Sequence, residues 1–216
     1  MDDRPIDMRG VELISPDSFL FTHDRRADIE GVLIPESLAN QRSHKLMALI
    51  SEDLRGTQPL VVPLMDGANG FYYSLFSYRE YNFSRRRIDL VVKSYEGTSS
   101  SGKIRFPNPH QWEQVLQEAN GGSERPILLV EDIVDTARTL THLISALEKE
   151  GISRQRIKIA SLLSKPSRRM PDTEDFFIDY LGFIIPDYFV VGYGLDFDER
   201  YRELPDICVL KQEVYS

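Results

Sequence analysis

A single cysteine, Cys208, stands in 216 residues, so no disulfide can form within the chain and a reducing compartment fits. No apolar run approaches membrane-spanning length, and the opening "MDDRPIDMRG" lacks the apolar stretch of a signal peptide. The expectation is a cytoplasmic protein with no membrane partner. Basic residues are also scarce relative to acids: 26 Lys and Arg against 34 Asp and Glu leave a formal charge of −8. That balance argues against nucleic-acid partners, which are held by cationic contacts to phosphate. It does not exclude a small anion held by local groups in one cleft. Repeats and low-complexity blocks are absent. His23, His44, His110 and His142 show neither metal-ligand nor triad spacing.

What is present is the composition of an ordinary globular chain, 41% hydrophobic and 28% charged, long enough for one domain with an appended flap. Leu38, Leu46, Leu49, Ile50 and Leu54 fall at helical spacing, with Gly56 as a stop. "PLVVPL" and "IDLVVKS" read as strands, with a helix from about Phe71 to Tyr78 between them. Residues 96–102 form a polar loop too poor in apolar side chains to pack. "PHQWEQVLQEANGG" reads as a short helix with Trp112 and Leu116 on its buried stripe. Leu140, Leu143, Ile144 and Leu147 mark the strongest helix, closed by Gly151. "RIKIASLL" and "YFVVGYGL" read as two further strands. Strands alternating with helices predict an α/β fold: a mainly parallel sheet with helices on both faces and ligands at the C-terminal strand ends.

"ILLVEDIVDTARTL" runs from a four-residue apolar strand, Ile127 to Val130, through three carboxylates into a helix that opens after Thr136. Helix N-termini favour anions, so Glu131, Asp132 and Asp135 must answer to something other than phosphate. An ionised carboxylate only accepts hydrogen bonds, and a ribose diol offers two donors. Thr136 and Thr139, with the amides of residues 136–139, suit a 5′-phosphate, and Arg138 either adds charge or points outward. Together the groups suit one ligand, a ribose 5-phosphate. Asp135 is either a helix cap or a proton-transfer group.

The run E-D-I-V-D-T-A-R-T resembles the phosphoribosyl pyrophosphate signature of type I phosphoribosyltransferases. Three more segments, "VVKSYEGTSSSGKI", "IASLLSKP" and "IPDYFVVGYGLDFDERYREL", follow in that family's order and point to its hypoxanthine-guanine branch. "DTARTL", "SKPSRRMP" and "VVGYGLDFDERYREL" look closest to kinetoplastid members. The resemblance implies a twisted parallel core at about residues 36–165, with a hood from about 1–35 and 166–216. It implies purine salvage, with phosphoribosyl transfer from phosphoribosyl pyrophosphate to hypoxanthine or guanine, with xanthine open. It also implies Mg2+ and assembly as a homodimer or homotetramer.

By the same resemblance Asp135 is the acid/base, and Glu131 and Asp132 hold the ribose hydroxyls directly or through magnesium. Ile133, Val134 and Thr136, Ala137, Arg138 and Thr139 complete the sugar and phosphate site. Lys165, Phe189, Val190 and Asp196 meet the purine, and Asp196 also holds a second magnesium. Asp66, Gly67, Ala68 and Arg202 face pyrophosphate, and Lys93, Ser94 and Tyr95 begin a lid.

Two positions depart from the family pattern. Ala137 replaces a glycine, which requires ordinary dihedral angles in the phosphate turn. Asp66 replaces a cation in the pyrophosphate loop, and either points away or holds a metal-ordered water. This second departure motivates an alternative, a catalytically weak nucleotide-binding regulator. Extra sequence around "NPHQWEQVLQEANGG" is expected to decorate the surface or an oligomer interface.

Overall fold

The computed structural model describes residues 3–19, 23–77, 83–94, 104–121 and 125–216. In chain order the elements are β1 (Ile6–Asp7), α1 (His23–Asp28), β2 (Ile29–Ile34), α2 (Glu36–Asp53), β3 (Leu60–Met65), α3 (Asn69–Ser77), β4 (Arg86–Arg87), β5 (Leu90–Val91), β6 (Lys93–Ser94), β7 (Ile104–Arg105), α4 (Pro109–Asn120), β8 (Ile127–Val134), α5 (Arg138–Lys149), β9 (Ile157–Ser164), β10 (Tyr180–Ile184), β11 (Val190–Val191), β12 (Ile207–Leu210) and α6 (Gln212–Tyr215). Tyr78 and the polar loop at 96–102 lie outside the described residues.

The large sheet has the order β1-β10-β9-β8-β3-β4, with β5 also on β3, and its pairings are parallel. β3, β8 and β9 are near-continuous apolar runs because both of their faces are covered. Alternation divides them between two cores. Val61, Leu128, Val130, Ala160 and Leu162 face α2 and α3, whereas Leu60, Val62, Ile127, Leu129, Ile157 and Ile159 face α4 and α5. The expected α/β architecture is the observed one.

α5 buries Leu140, Leu143, Ile144 and Leu147, as their spacing predicts. Its end is a Schellman motif, in which the N–H of Gly151 donates to Glu148 O and that of Ile152 to Leu147 O. α4 is the expected short helix, and its inner face joins the second core. Asn108 caps it by accepting from the His110 amide, and Val115 and Ala119 are buried in the second core, while Trp112 is half-buried and stacks on Phe106.

A separate antiparallel sheet, β11-β12-β2, joins N- and C-terminal segments beside the main one. The hood boundaries need correction, because β1 and β10 lie in stretches assigned to the hood yet extend the parallel sheet. "YFVVGYGL" also falls short of a full strand: only Val190–Val191 pair with β12. Gly192, Tyr193 and Gly194 then take positive φ values of 90°, 56° and 101°, which turns the chain out of extended geometry. Among the described residues no helix is long and apolar enough to cross a membrane.

Candidate active site

β8 does not stop at Val130. It continues to Val134, with Glu131 opposite Ser161 and Ile133 opposite Leu163 on β9, so the first two acids are strand residues rather than loop residues. Parallel pairing holds their backbone rigid. Oε2 of Glu131 is shut off from solvent and has no hydrogen-bond partner among the described residues. Burial, then the neighbouring Asp132, push the Glu131 carboxyl well above its usual range. Burial also lifts Asp132 to about 6, although its Oδ1 accepts from the Ile133 amide at 2.7 Å. Two adjoining carboxyls held in this way are suited to a cation or to hydroxyl donors.

Asp132 is pressed by the loop after β3. A Cβ on Gly67 would lie 1.7 Å from Asp132 Oδ2, so only glycine allows the approach. Met65–Asp66 is a cis peptide, Asp66 is exposed and Ala68 is buried. Asp66 shares a cleft of about 620 Å³ with Asn69, Gly70, Tyr193 and Arg202. Asp66 is thus an exposed residue at the rim of an open cleft, whereas Gly67 beside it is in packed contact with Asp132.

The turn from β8 into α5 corrects a second expectation. Ala137 sits at φ 63°, in the left-handed region, and not at ordinary dihedral angles. Its methyl group is buried in the second core, which offsets part of the backbone penalty. Ala137 is also the N-cap residue and supplies no side-chain cap, so Asp135 is not the cap. The start of α5 borders a small cleft of about 90 Å³ lined by Glu131 and by residues 133–140. Arg138 is exposed there, and Thr136 and Thr139 are half-buried. Thr173, which the sequence reading did not single out, steadies the turn by donating from its hydroxyl to Thr136 O at 2.7 Å.

Asp135 accepts from Arg168 Nε at 3.1 Å. Lys165, at the end of β9, donates its amide to Val134 O, and its ammonium is buried 3.7 Å from Asp187 Oδ1. Burial lowers the Lys165 pKa, and Asp135 and Asp187 oppose that shift. Arg169 Nη1 donates to Val134 O at 2.9 Å and also to Asp135 O, while its Nη2 reaches Ser164 Oγ. Arg168, Arg169 and Asp187 escaped the sequence reading because charged residues beside prolines look like solvated turns.

Asp196 and Arg202 pair at 2.9 Å, and Asp196 Oδ2 also accepts from the Glu199 amide. Both lie near enough to Asp132 to act on its charge. Among the described residues no group of three acidic, His or Cys side chains is gathered to hold a metal, so Glu131, Asp132 and Asp196 are not one cluster. Val190 is buried. The half-buried Phe189 ring stacks on Tyr215 at 4.7 Å and meets the edge of Phe197, so a base stacking there must use the opposite face or displace Tyr215. Lys93 is exposed on β6, which pairs β7; Tyr95 lies outside the described residues, and for Ser94 only the backbone is described.

Acids at the end of a central parallel strand thus adjoin a cleft at the start of the following helix, where α/β sheets take their ligands. A family model for the phosphoribosyl transferase domain matches residues 36–198. The chain belongs to that family. It is similar to the hypoxanthine-guanine phosphoribosyltransferase of Streptococcus pneumoniae, 40% identical over 192 residues that cover 88% of this chain and 97% of that one. The hypoxanthine phosphoribosyltransferase structure from Staphylococcus aureus superposes with a TM-score of 0.74 at 32% identity, over 91% of this chain and 100% of the other. The Trypanosoma cruzi enzyme superposes at a TM-score of 0.72 and 32% identity, over 87% of this chain and 94% of that one. Bifunctional TilS/HprT proteins of Listeria also match, and there the chain spans 27% of their length.

Proposed function

We propose that the protein transfers the 5-phosphoribosyl group from phosphoribosyl pyrophosphate to hypoxanthine or guanine, releasing pyrophosphate and a nucleoside monophosphate. The observation that carries this is the Glu131–Thr139 junction, where a buried carboxylate oxygen with no hydrogen-bond partner among the described residues adjoins a cleft lined by the first residues of a helix. Glu131 and Asp132 accept from the ribose hydroxyls, and the amides of residues 137–139 with the Thr136 and Thr139 hydroxyls take the 5′-phosphate. Lys165, a pure donor, selects a 6-oxo group over a 6-amino group. Phe189 and Val190 bound the base, and Arg202 and the amides of Gly67 and Ala68 meet pyrophosphate.

In the reaction N9 of the purine bonds to ribose C1 as the bond from C1 to pyrophosphate breaks, and the N7 proton passes to Asp135. The chain's work is to align these atoms and to stabilise charge on the leaving group. The donor set fits Mg2+, which prefers oxygen and is satisfied by one or two carboxylates plus substrate oxygens. Glu131 and Asp132, with Asp196 for a second ion, would hold it, and it would neutralise the departing pyrophosphate.

The test is direct. Incubation with Mg2+, phosphoribosyl pyrophosphate and each purine in turn yields IMP or GMP, and xanthine in the same series defines the branch. Absence of any nucleotide product would remove the assignment. Asp135→Asn is expected to lower turnover about 100-fold or more, the usual share of a general acid/base, while GMP still raises the melting temperature. Near-normal turnover of the variant would take Asp135 out of the proton path.

A further inference from the structure

Two side chains with no part in the reaction above connect two that have one. Lys165 Nζ lies 3.7 Å from Asp187 Oδ1, Arg168 Nη1 lies 3.7 Å from Asp187 Oδ2, and Arg168 Nε donates to Asp135 Oδ1 at 3.1 Å. The charges alternate along the series. Its ends are the base-selecting lysine and the proton-transfer aspartate, each the residue just past the end of neighbouring strands β9 and β8.

Backbone geometry builds this series. Lys165 begins a short 3-10 turn at residues 166–168, and the Arg168 amide donates to Lys165 O, which folds Arg168 back over the end of β8. Ile185 donates to Ser164 O, and that bond brings the 185–188 segment, with Asp187, beside Lys165. Anchoring of the turn falls to Arg169, whose guanidinium binds Val134 O, Asp135 O and Ser164 Oγ. Arg168 makes none of those backbone bonds, so holding the turn does not explain it. Among the described residues the partners of its guanidinium are carboxylates.

We propose that Asp187 and Arg168 are positioning residues for the purine. Asp187 fixes the Lys165 ammonium toward the 6-oxo group, and Arg168 fixes the Asp135 carboxylate toward N7. The bridge rests on the roles given above to Lys165 and Asp135. A lysine on a four-carbon stem has three rotatable donors and needs a fixed acceptor to aim it. A carboxylate needs one oxygen held if the other is to meet N7.

Steady-state kinetics on the full chain with Mg2+ and saturating phosphoribosyl pyrophosphate separate the two halves. Asp187→Asn is expected to raise KM for hypoxanthine about fivefold with kcat nearly unchanged, the ceiling for a half-exposed ion pair. Arg168→Gln is expected to lower kcat about fivefold with KM nearly unchanged, and Arg168→Lys to recover most of it. The pH profile adds a sign. The charged groups facing Lys165 are Asp135, Asp187 and Arg168; the two carboxylates favour its proton, while burial and Arg168 disfavour it. The basic limb of kcat/KM therefore moves to lower pH in Asp187→Asn and to higher pH in Arg168→Gln, a divergence that loss of packing would not produce. Basic limbs that stay together, or KM and kcat changing in equal proportion in both variants, overturn the bridge. Lys165→Met distinguishes the two levels. If it leaves KM for hypoxanthine unchanged, the role of Lys165 falls and the bridge with it. If it raises KM and Asp187→Asn does not, the bridge alone falls.

Discussion

At the start of α5 one methyl group sets two energies against each other. Ala137 in the left-handed region costs about 1–2 kcal/mol, and its buried methyl returns about 0.8 kcal/mol. Ala137→Gly is therefore expected to shift stability by under about 1 kcal/mol, whereas the β-branched Ala137→Val loses about 2 kcal/mol or more in urea unfolding. Cys208 gives a pH signature. It is buried, and burial, then Asp206, push its thiol up to about 12. Between the usual thiol range and that value the unfolded chain ionises first, so this residue's contribution to stability is lost as pH rises through the window. Iodoacetamide at pH 8 should modify Cys208 only in denaturant; rapid labelling of the native protein would show that the site opens.

Elements depend on close approaches that composition does not reveal. Gly67 lets the loop after β3 close on Asp132, and any Cβ there collides with the carboxylate. Gly67→Ala is expected to cut turnover at least about tenfold, because a displacement of the order of 1 Å in a positioning loop costs that much or more. Its melting temperature should change much less, and a variant with normal turnover would show that the contact is not kept during catalysis. α2 shows the same dependence at its start. Pro35 gives no side-chain cap, and the Glu36 amide instead donates to Asp206 Oδ1, 170 residues away in sequence, at 2.8 Å. Apolar spacing marks α5 and α2 well, but nothing local in either sequence records partners supplied by a distant loop.

Across the whole molecule, Arg42 of α2 ties the N-terminal helix layer to the sheet. Its buried guanidinium donates to Gly182 O at 3.1 Å and Leu181 O at 2.8 Å on β10, and to Asp3 O. Arg42→Leu leaves those carbonyls without this donor and is expected to destabilise the fold by about 3 kcal/mol, seen as a lower urea midpoint with an unchanged slope. A loss under about 1 kcal/mol would mean that water replaces the guanidinium. α4 belongs to this scale too: beyond the surface or interface place expected of that segment, its Val115 and Ala119 close the second core.

The fold class, the strands through the core and the acidic junction were legible in the chain, because alternation of apolar runs and the order of Glu131, Asp132 and Asp135 depend only on neighbours. Ala137 in a left-handed turn, Asp135 held by Arg168 rather than capping a helix, β1 and β10 in the main sheet, and Phe189 against Tyr215 were not legible. Each of these is decided by groups remote in sequence whose contacts exist only once the strands have paired. Local periodicity sets which residues are buried and on which face; long-range packing sets what a buried or turning residue touches, and therefore what its charge can do.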